Sequence, residues 1–304
     1  MPGSICKSSG ERGAFGLVVS HGCPYNRCAF CDLYKCDTYR EVSLDQVEAE
    51  LKRVQSVGGK PTKLMLGDGD ALHMDFDRLM TILHMIDHYL PSVTRIVSDA
   101  TIWSISRKSD EELRTLSNRG WQMFYVGIES GLDDVLRFMH KDHTNAMARQ
   151  QVARLHAAGI QLGAHIMTGV AGAGRGMENA RATAALLNEL QPAFVTNFNM
   201  NVSPVTELGL LEEDGKFVRA TDLEGMEEER ELVSLLQIDG TFEGYHNKYV
   251  RPDELIAEGD GPAWQRAFTQ WVHTKGKLPQ DREKILAKLD AAIADLRQLE
   301  PRAA

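Results

Sequence analysis

The feature that most constrains the fold is a regular alternation of short apolar runs with amphipathic helical patterns over the first 200 residues. Each helical segment returns the chain to the same end of a sheet, so six such units in succession predict parallel strands. The repetition favours an α/β fold of the partial (β/α)6 TIM-like barrel type. The six predicted strands are residues 14–20, 62–71, 93–101, 121–131, 160–172 and 193–204.

Helix start and stop signals separate these strands. Ser43, followed three residues later by Gln46, has the pattern of a capping box, and Val47, Leu51 and Val54 then recur at helical spacing. Glycines close two of the later helical patterns. The remaining predicted helices are residues 76–90, 109–120, 145–159 and 177–191.

Polar and glycine-rich segments follow the predicted strands at their carboxyl ends. In parallel barrels catalytic residues lie on the loops at this end of the strands. The chain therefore predicts one site, built from several loops at one end of the barrel. The segments are the cysteine-rich residues 21–35, "GDGDA" at 67–71, "SDA" at 98–100, "ESG" at 129–131 and "GVAGAG" at 169–174.

Three cysteines, Cys23, Cys28 and Cys31, lie within nine positions of a chain that has only 5 in 304 residues. Three thiolates can ligate three irons of a [4Fe–4S] cube and leave the fourth iron open. Zinc prefers four ligands, and Cys36 or His21 could supply the fourth. A redox pair of Cys28 and Cys31 is a third interpretation. The spacing favours iron and sulfur, but it leaves zinc and redox chemistry open.

Composition limits the kind of protein further. With 43% hydrophobic residues the chain can bury one large core, and a formal charge of −9 makes nucleic acid an unlikely partner. No apolar stretch approaches the ~18 residues of a membrane span, and the first residues lack the pattern of a signal peptide. A cytoplasmic location is therefore expected, where disulfides are rare and Cys6 is an ordinary thiol.

The regular alternation stops near Ser203. Residues 203–304 are expected to form a mostly helical extension, a candidate lid, beside a barrel of residues 1–202. Within it, the acidic run of residues 224–231 is expected on a solvated face. The last helix is expected to start at Leu278 and Pro279. Its predicted apolar stripe is Ile285, Leu289, Ala292 and Leu296. Tyr245 and His246 are candidate substrate contacts, with a surface turn as the competing interpretation.

The cysteine segment resembles that of radical S-adenosylmethionine (SAM) enzymes, in which three clustered cysteines follow the first barrel strand and an aromatic residue often precedes the last one. The segments "YVGIESGLDDVLRFMHKDHT" and "GIQLGAHIMTGVAG" are similar to the branch that contains oxygen-independent coproporphyrinogen oxidase and Elongator-like proteins. The resemblance implies a [4Fe–4S] cluster on Cys23, Cys28 and Cys31, with SAM bound to it. The spacing departs from the commonest one, since four residues rather than three separate the first two cysteines.

The same resemblance implies a set of SAM contacts. An aromatic residue would lie against the adenine, a glycine-rich stretch would take the methionine amino group, and further polar residues would approach SAM from later strands. Alone, the acidic members would also suit helix caps, and a histidine on an apolar strand would suit a hydrogen-bonded core position. The implied residues are Phe30, Gly67, Asp68, Gly69, Asp70, Ser98, Glu129, Lys141 and His165.

The expected activity is reductive cleavage of SAM at the cluster, followed by hydrogen abstraction from a small or medium metabolite. An external one-electron reductant of the flavodoxin or ferredoxin type would supply the electron. Two alternatives stay open: methyl or aminocarboxypropyl transfer at the same cluster, and a non-catalytic regulator that binds zinc or a cluster. The sequence does not identify the substrate, and no catalytic residue beyond these is predicted.

Overall fold

The structure, a computed structural model, describes residues 9–249 and 268–299. All six predicted strands form, and no helix of the described residues is long and apolar enough to cross a membrane. The strands are β1 (Phe15–Val18), β2 (Ser20–His21), β3 (Arg40–Glu41), β4 (Lys63–Asp70), β5 (Arg95–Ala100), β6 (Trp121–Glu129), β7 (Gln161–Thr168), β8 (Phe194–Asn199), β9 (Thr241–Tyr249) and β10 (Phe268–Lys277). The helices are α1 (Leu44–Ser56), α2 (Phe76–Tyr89), α3 (Ile102–Ser106), α4 (Asp110–Asn118), α5 (Asp133–Phe138), α6 (Asn145–Ala157), α7 (Gly176–Leu190), α8 (Glu207–Glu213), α9 (Asp222–Leu235) and α10 (Arg282–Leu299).

The chain divides into two compact units. The first comprises the residues up to 127 together with 140–163, and it contains β1, β4, β5 and most of β6 as parallel neighbours in that order. The second comprises 128–139 and the residues from 164 onwards, with most of β7 and then β8, β9 and β10. The predicted fold class, a mostly parallel α/β sheet of the partial-barrel type with a C-terminal helix, is confirmed. The predicted boundary between residues 202 and 203 stays a prediction.

Local sequence signals account for the helix ends. The hydroxyl of Ser43 accepts a hydrogen bond from the backbone N–H of Gln46 at 3.3 Å, which caps α1. This helix buries the three apolar residues whose spacing predicted it. Gly120 and Gly159 follow α4 and α6 with φ angles of 88° and 81°, values that residues with a side chain rarely adopt.

The part of the chain after residue 203 contains more strand than the sequence indicates. β9 pairs with β8 in parallel, and β10 pairs with β9 in the antiparallel direction, so the sheet of the second unit continues into this segment. Tyr245 and His246 therefore lie in β9, and their interpretation as a surface turn is wrong. The predicted stripe on the last helix is present, with Ile285, Leu289 and Leu296 buried, although this helix begins only at Arg282.

The acidic run of residues 224–231 is only partly solvated, so the prediction of a solvated face is wrong in part. It lies in α9, where Glu228 is 1% exposed and Glu229 is fully buried. Glu228 accepts hydrogen bonds from the backbone N–H of Gly169 at 2.8 Å and from Nδ2 of Asn179 at 2.6 Å. Buried carboxylates are tolerated when donors surround them, and here they attach α9 to the loop after β7 and to α7.

Candidate active site

The cysteine loop, residues 22–37, follows β1 and β2 in the first unit. Cys23, Cys28 and Cys31 are half-buried free thiols, whereas Cys36 is a free thiol at the surface. The backbone N–H of Asn26 donates to Sγ of Cys23 at 3.4 Å, and the Asn26 side chain donates to the carbonyl of Tyr34 at 2.7 Å. The loop is thus folded around Asn26, with three of its thiols less exposed than the fourth.

The donor set of this loop suits an iron–sulfur cluster, because three thiols occur together without a disulfide. Within residues 9–249 and 268–299, no three Cys, His, Asp or Glu side chains already converge as metal ligands. The thiols would therefore have to turn toward a common point when a cluster binds. Phe30 is half-buried between the second and third cysteines, as the sequence places it.

The glycine–aspartate segment, residues 67–70, forms the end of strand β4 rather than a loop after it. It approaches the cysteine loop closely, since a β-carbon on Gly69 would lie 2.0 Å from the carbonyl oxygen of Gly22. The hydroxyl of Ser20 donates to the carbonyl of Asp68 at 2.9 Å, and the hydroxyl of Tyr34 donates to the Asp68 carboxylate. The structure therefore brings together the two segments that the sequence assigns to the cluster and to SAM.

Asp70 has one carboxylate oxygen in use and one without a partner. Its Oδ2 accepts hydrogen bonds from the backbone N–H of Thr101 at 3.2 Å and from the Thr101 hydroxyl at 3.0 Å, whereas Oδ1 is buried with no hydrogen bond. Burial raises the pKa of Asp70 to about 6, although the bonds from Ser104 and Thr101 act to lower it. An ammonium group would be a suitable partner for the open oxygen.

Ser98 and Asp99 point to opposite faces of strand β5, because side chains alternate along a strand. Asp99 is in register with Asp70 on one side and with Tyr125 on the other. Burial, and then the charges of Asp70 and Asp68, raise the pKa of Asp99 to about 8. Ser98 is fully buried on the other face, and its hydroxyl has no hydrogen bond. Asp99, one position after the predicted Ser98, thus lies beside Asp70, whereas the role of Ser98 stays a prediction.

Lys141 lies near the cysteine loop in the first unit. Burial raises the pKa of the Cys23 thiol, and the charge of Lys141 acts in the opposite direction. The Nζ atom of Lys141 is 3.8 Å from Oδ1 of Asp142, and both side chains are almost buried. Asp142 also accepts from the backbone N–H of Trp103 at 2.9 Å and contacts Nδ1 of His143 at 3.0 Å. Burial acts to raise the pKa of Asp142, but His143 and Lys141 lower it to about 2. Asp142 is therefore ionised at neutral pH and forms an ion pair with Lys141.

Glu129 and His165 belong to the second unit. Glu129 is 8% exposed and has a φ of 61°, a left-handed conformation that is uncommon outside glycine and often marks functional sites. The next glycine, Gly131, packs against the backbone of α7, where a β-carbon would lie 2.2 Å from the carbonyl carbon of Ala182. His165 is half-buried, and its ring is edge-on to that of Phe198 at 5.7 Å.

Tyr245 and His246, although adjacent, have different surroundings. Tyr245 is half-buried and its hydroxyl donates to Oε1 of Glu243 at 2.7 Å. His246 is 2% exposed, and its Nε2 lies 2.9 Å from Oε2 of Glu229. A substrate role for Tyr245 stays a prediction, whereas the contacts of His246 are those of a core residue.

Comparisons with known proteins identify the family of this chain. The family model described as the Radical SAM superfamily matches residues 17–186, which include the cysteine loop, the glycine–aspartate segment and Lys141. A curated relative, the tRNA-2-methylthio-N(6)-dimethylallyladenosine synthase of Chlorobium phaeobacteroides (strain BS1), is 22% identical over 244 residues. That alignment covers 79% of this chain and 52% of the relative, so the chain spans about half the length of the curated relative it matches.

Solved structures share the fold at low identity. Coproporphyrinogen III oxidase (HemN) from Escherichia coli has a TM-score of 0.56 and 14% identity, over 73% of this chain and 51% of that one. Elp3 from the archaeon Methanocaldococcus infernus has a TM-score of 0.51 and 15% identity, over 74% and 54%. The methyltransferase TsrM from Kitasatospora setae, solved with cobalamin and a [4Fe–4S] cluster, has a TM-score of 0.51 and 17% identity, over 64% and 38%.

The two branches named from the sequence, coproporphyrinogen oxidase and Elongator-like proteins, are thus among the structural neighbours. A third neighbour, TsrM, was solved with a bound [4Fe–4S] cluster. Because these structures have low sequence identity to the chain, they establish only its fold. The family model, in contrast, covers more than half of the 304 residues and includes all three clustered cysteines. The protein is an enzyme of the radical SAM superfamily.

Proposed function

We propose that Cys23, Cys28 and Cys31 hold a [4Fe–4S] cluster and that the enzyme uses it to cleave SAM reductively and to start radical chemistry on a small or medium metabolite. When bound, the cluster would supply one electron to SAM, whose C–S bond would break to give methionine and a 5′-deoxyadenosyl radical able to take a hydrogen atom from substrate. The observation that carries the proposal is the contact between Gly69 and Gly22, which holds the acidic end of β4 against the loop of three thiols.

The protein's own residues would bind and orient SAM. The open oxygen of Asp70 is placed to accept from the methionine ammonium. Asp99 lies beside Asp70 in the strand register, but its raised pKa of about 8 leaves it mostly neutral at pH 7. Lys141 would pair with the methionine carboxylate, and Asp142 would fix its position. Phe30 would cover the adenine. The roles of Glu129 and His165 toward SAM remain predictions from sequence resemblance.

Two alternatives to the proposed activity have support, one for the reaction and one for the substrate. A methyltransferase is among the neighbours, which supports methyl transfer as the alternative reaction. Aminocarboxypropyl transfer stays an alternative from the sequence alone. The name of the curated relative specifies tRNA, which makes RNA the alternative substrate class. The formal charge of −9 argues against RNA, since phosphate binding needs a local excess of Lys and Arg. An external reductant of the flavodoxin or ferredoxin type would deliver the electron.

Anaerobic reconstitution tests the proposal. Iron and acid-labile sulfide should be present in the wild type and in Cys36→Ser, and absent when any of Cys23, Cys28 or Cys31 is replaced by serine. With a chemical reductant, the reconstituted protein should convert SAM to 5′-deoxyadenosine. Stoichiometric zinc without sulfide, together with loss of metal in Cys36→Ser, would contradict the cluster. A product of 5′-methylthioadenosine would indicate aminocarboxypropyl transfer, and S-adenosylhomocysteine would indicate methyl transfer.

A further inference from the structure

A row of four unsaturated rings crosses the sheet of the second unit, with one ring on each of four neighbouring strands. We call it the ring row: His165 on β7, Phe198 on β8, Tyr245 on β9 and His273 on β10. The Phe198 and Tyr245 rings are nearly parallel, at 13° and 5.9 Å between centroids, and those of Tyr245 and His273 are at 18° and 4.9 Å. All four residues are half-buried, and the side chain of His273 is 39% exposed.

Strand register explains why these rings share one face. Phe198 is paired with Tyr245, and Tyr245 is paired with His273, so the three side chains are direct cross-strand neighbours. Phe198 is the penultimate residue of β8, which places the row at the carboxyl end of the parallel strands. In barrels of this type substrates bind at that end.

A buried carboxylate fixes two of the four rings, those of Tyr245 and His273, in place. Glu243, which is 1% exposed, accepts hydrogen bonds through Oε1 from the Tyr245 hydroxyl and from Nε2 of His273, each at 2.7 Å. Its other oxygen, Oε2, is 3.4 Å from Nζ of Lys275. Aromatic side chains held in this way lose little conformational freedom when a ligand packs on them. The arrangement is therefore preorganised.

The opposite face of the same strands is filled by other groups. There Glu229 from α9 accepts hydrogen bonds from Asn197 and Thr274, each at 2.7 Å, and pairs with His246. Helix α9 thus covers that face and leaves the ring row on the other. On the ring side, next to Glu243 in the register, the hydroxyl of Thr196 is 1% exposed and has no hydrogen bond. A buried hydroxyl without a partner is expected to find one in a ligand or water.

The geometry points to the ring row as a binding site for a planar, conjugated ring that carries a hydrogen-bonding group. Aromatic rings attract other planar rings through offset-stacked and edge-to-face contacts, beyond the area that they bury. The hydroxyls of Tyr245 and Thr196 are placed to bond a polar substituent of such a ring. The inference rests on the proposed function in one respect, since this ring would be the substrate group on which the radical acts.

Two amides with the same polar group test the site: benzamide, whose ring is planar, and cyclohexanecarboxamide, whose ring is saturated. Binding is measured by NMR of the histidine rings in the full-length protein, both reconstituted and cluster-free, without reductant. We expect benzamide to bind roughly 2- to 12-fold more tightly than cyclohexanecarboxamide. It should also cause ring-current shifts at His165 and His273, while His84 and His88 on α2 serve as internal controls.

Variants of Tyr245 test whether the preference for benzamide arises at the ring row. Tyr245→Leu should remove the preference for benzamide, whereas Tyr245→Phe should keep it because the ring is retained. Equal affinity for the two amides, or shifts confined to His84 and His88, would overturn the inference. Tyr245→Leu with wild-type preference would overturn it as well. Because no SAM cleavage is needed for the assay, selective benzamide binding by a protein that fails to cleave SAM would contradict the proposed function and leave the ring row intact.

Discussion

Gly69 lies so close to Gly22 that no larger residue fits: a β-carbon on Gly69 would lie 2.0 Å from the carbonyl oxygen of Gly22 and 2.9 Å from its carbonyl carbon. The φ of Gly69 is 87°, which also favours glycine. Through this contact the end of β4 supports the first residues of the cysteine loop. The position of the thiols, which follow β2, therefore depends on Gly69 in β4.

We predict that Gly69→Ala lowers the iron bound after reconstitution to a small fraction of the wild-type amount, because the cysteine loop must move away from the new methyl group. Gly58→Ala is the matched control, since Gly58 has a φ of 73° but no atom within 4 Å of the added carbon. The control should lose only about 1 kcal/mol of unfolding free energy and bind iron normally. Iron analysis and thermal unfolding check both variants, and equal iron contents would contradict the prediction.

The open oxygen of Asp70 gives a second prediction, for SAM affinity. Asp70→Asn should weaken SAM binding by at least roughly tenfold, because a hydrogen bond to a charged group contributes about 1.5–3 kcal/mol. Ser98→Ala is the control and should bind SAM as the wild type does, since Ser98 points to the other face of β5. Calorimetric titration of reconstituted protein measures both. A loss in Ser98→Ala as large as in Asp70→Asn would restore the assignment made from sequence.

The same residue predicts how SAM affinity depends on pH. Burial raises the pKa of Asp70 to about 6, so the carboxylate is largely protonated below that pH and cannot attract an ammonium. Affinity should therefore fall as the pH is lowered from 7 to 5, and this fall should be weaker in Asp70→Asn. A pH profile that is identical in the two proteins would show that Asp70 does not titrate in the binding step.

Glu228 predicts a pH dependence of folding stability. Burial raises its pKa to about 7, although the bonds from Asn179 and Gly169 oppose this, so between pH 4.5 and 7 the folded state binds more protons than the unfolded state. Stability must then decrease as the pH rises through this window, by on the order of a few kcal/mol from this group. Glu228→Gln should be less dependent on pH between 5 and 8. Urea unfolding at several pH values tests this, and a wild-type slope in the variant would refute it.

The sequence predicted the six parallel strands and five longer helices of the first 200 residues because their periodicity is local, but it did not predict the short elements β2, β3, α3 and α5. It also proposed the cysteine loop, the glycine–aspartate segment and Lys141 as site residues from short motifs, and these assignments stay predictions. It did not distinguish Ser98 from Asp99, since the face of a strand is set by register with its neighbours. Nor did it identify Glu243 and His273 as partners, because only the pairing of β9 with β10 brings them together.

The acidic run in α9 shows a further limit of sequence reasoning. Seen alone, Glu228 and Glu229 have the composition of a solvated helix face. In the structure each accepts hydrogen bonds from distant residues: Gly169 lies 59 positions from Glu228, and Asn197 lies 32 positions from Glu229. Burial of a charge depends on such distant partners, and no local pattern reports them.

The contacts of Glu228 and Glu229 also determine whether a protein truncated after Pro204 can remain folded. An independent barrel with a removable lid would remain folded, but the truncation removes β9, the parallel neighbour of β8, and both buried carboxylates of α9. Asn179, Asn197 and the N–H of Gly169 would lose their acceptors, at about 1–3 kcal/mol each where they remain buried. That sum is comparable with the ~5–15 kcal/mol by which proteins are stable.

We therefore predict that protein ending at Pro204 does not fold to a stable monomer. The newly exposed edge of β8 would also favour aggregation, because its N–H and C=O groups lose their partners. Protein ending at Leu299, which lacks only residues 300–304, is the control and should behave as the full chain does. Size-exclusion chromatography and circular dichroism with thermal unfolding distinguish the two. A monomeric protein ending at Pro204 that unfolds cooperatively and still binds SAM would show that residues 203–304 are a separable lid.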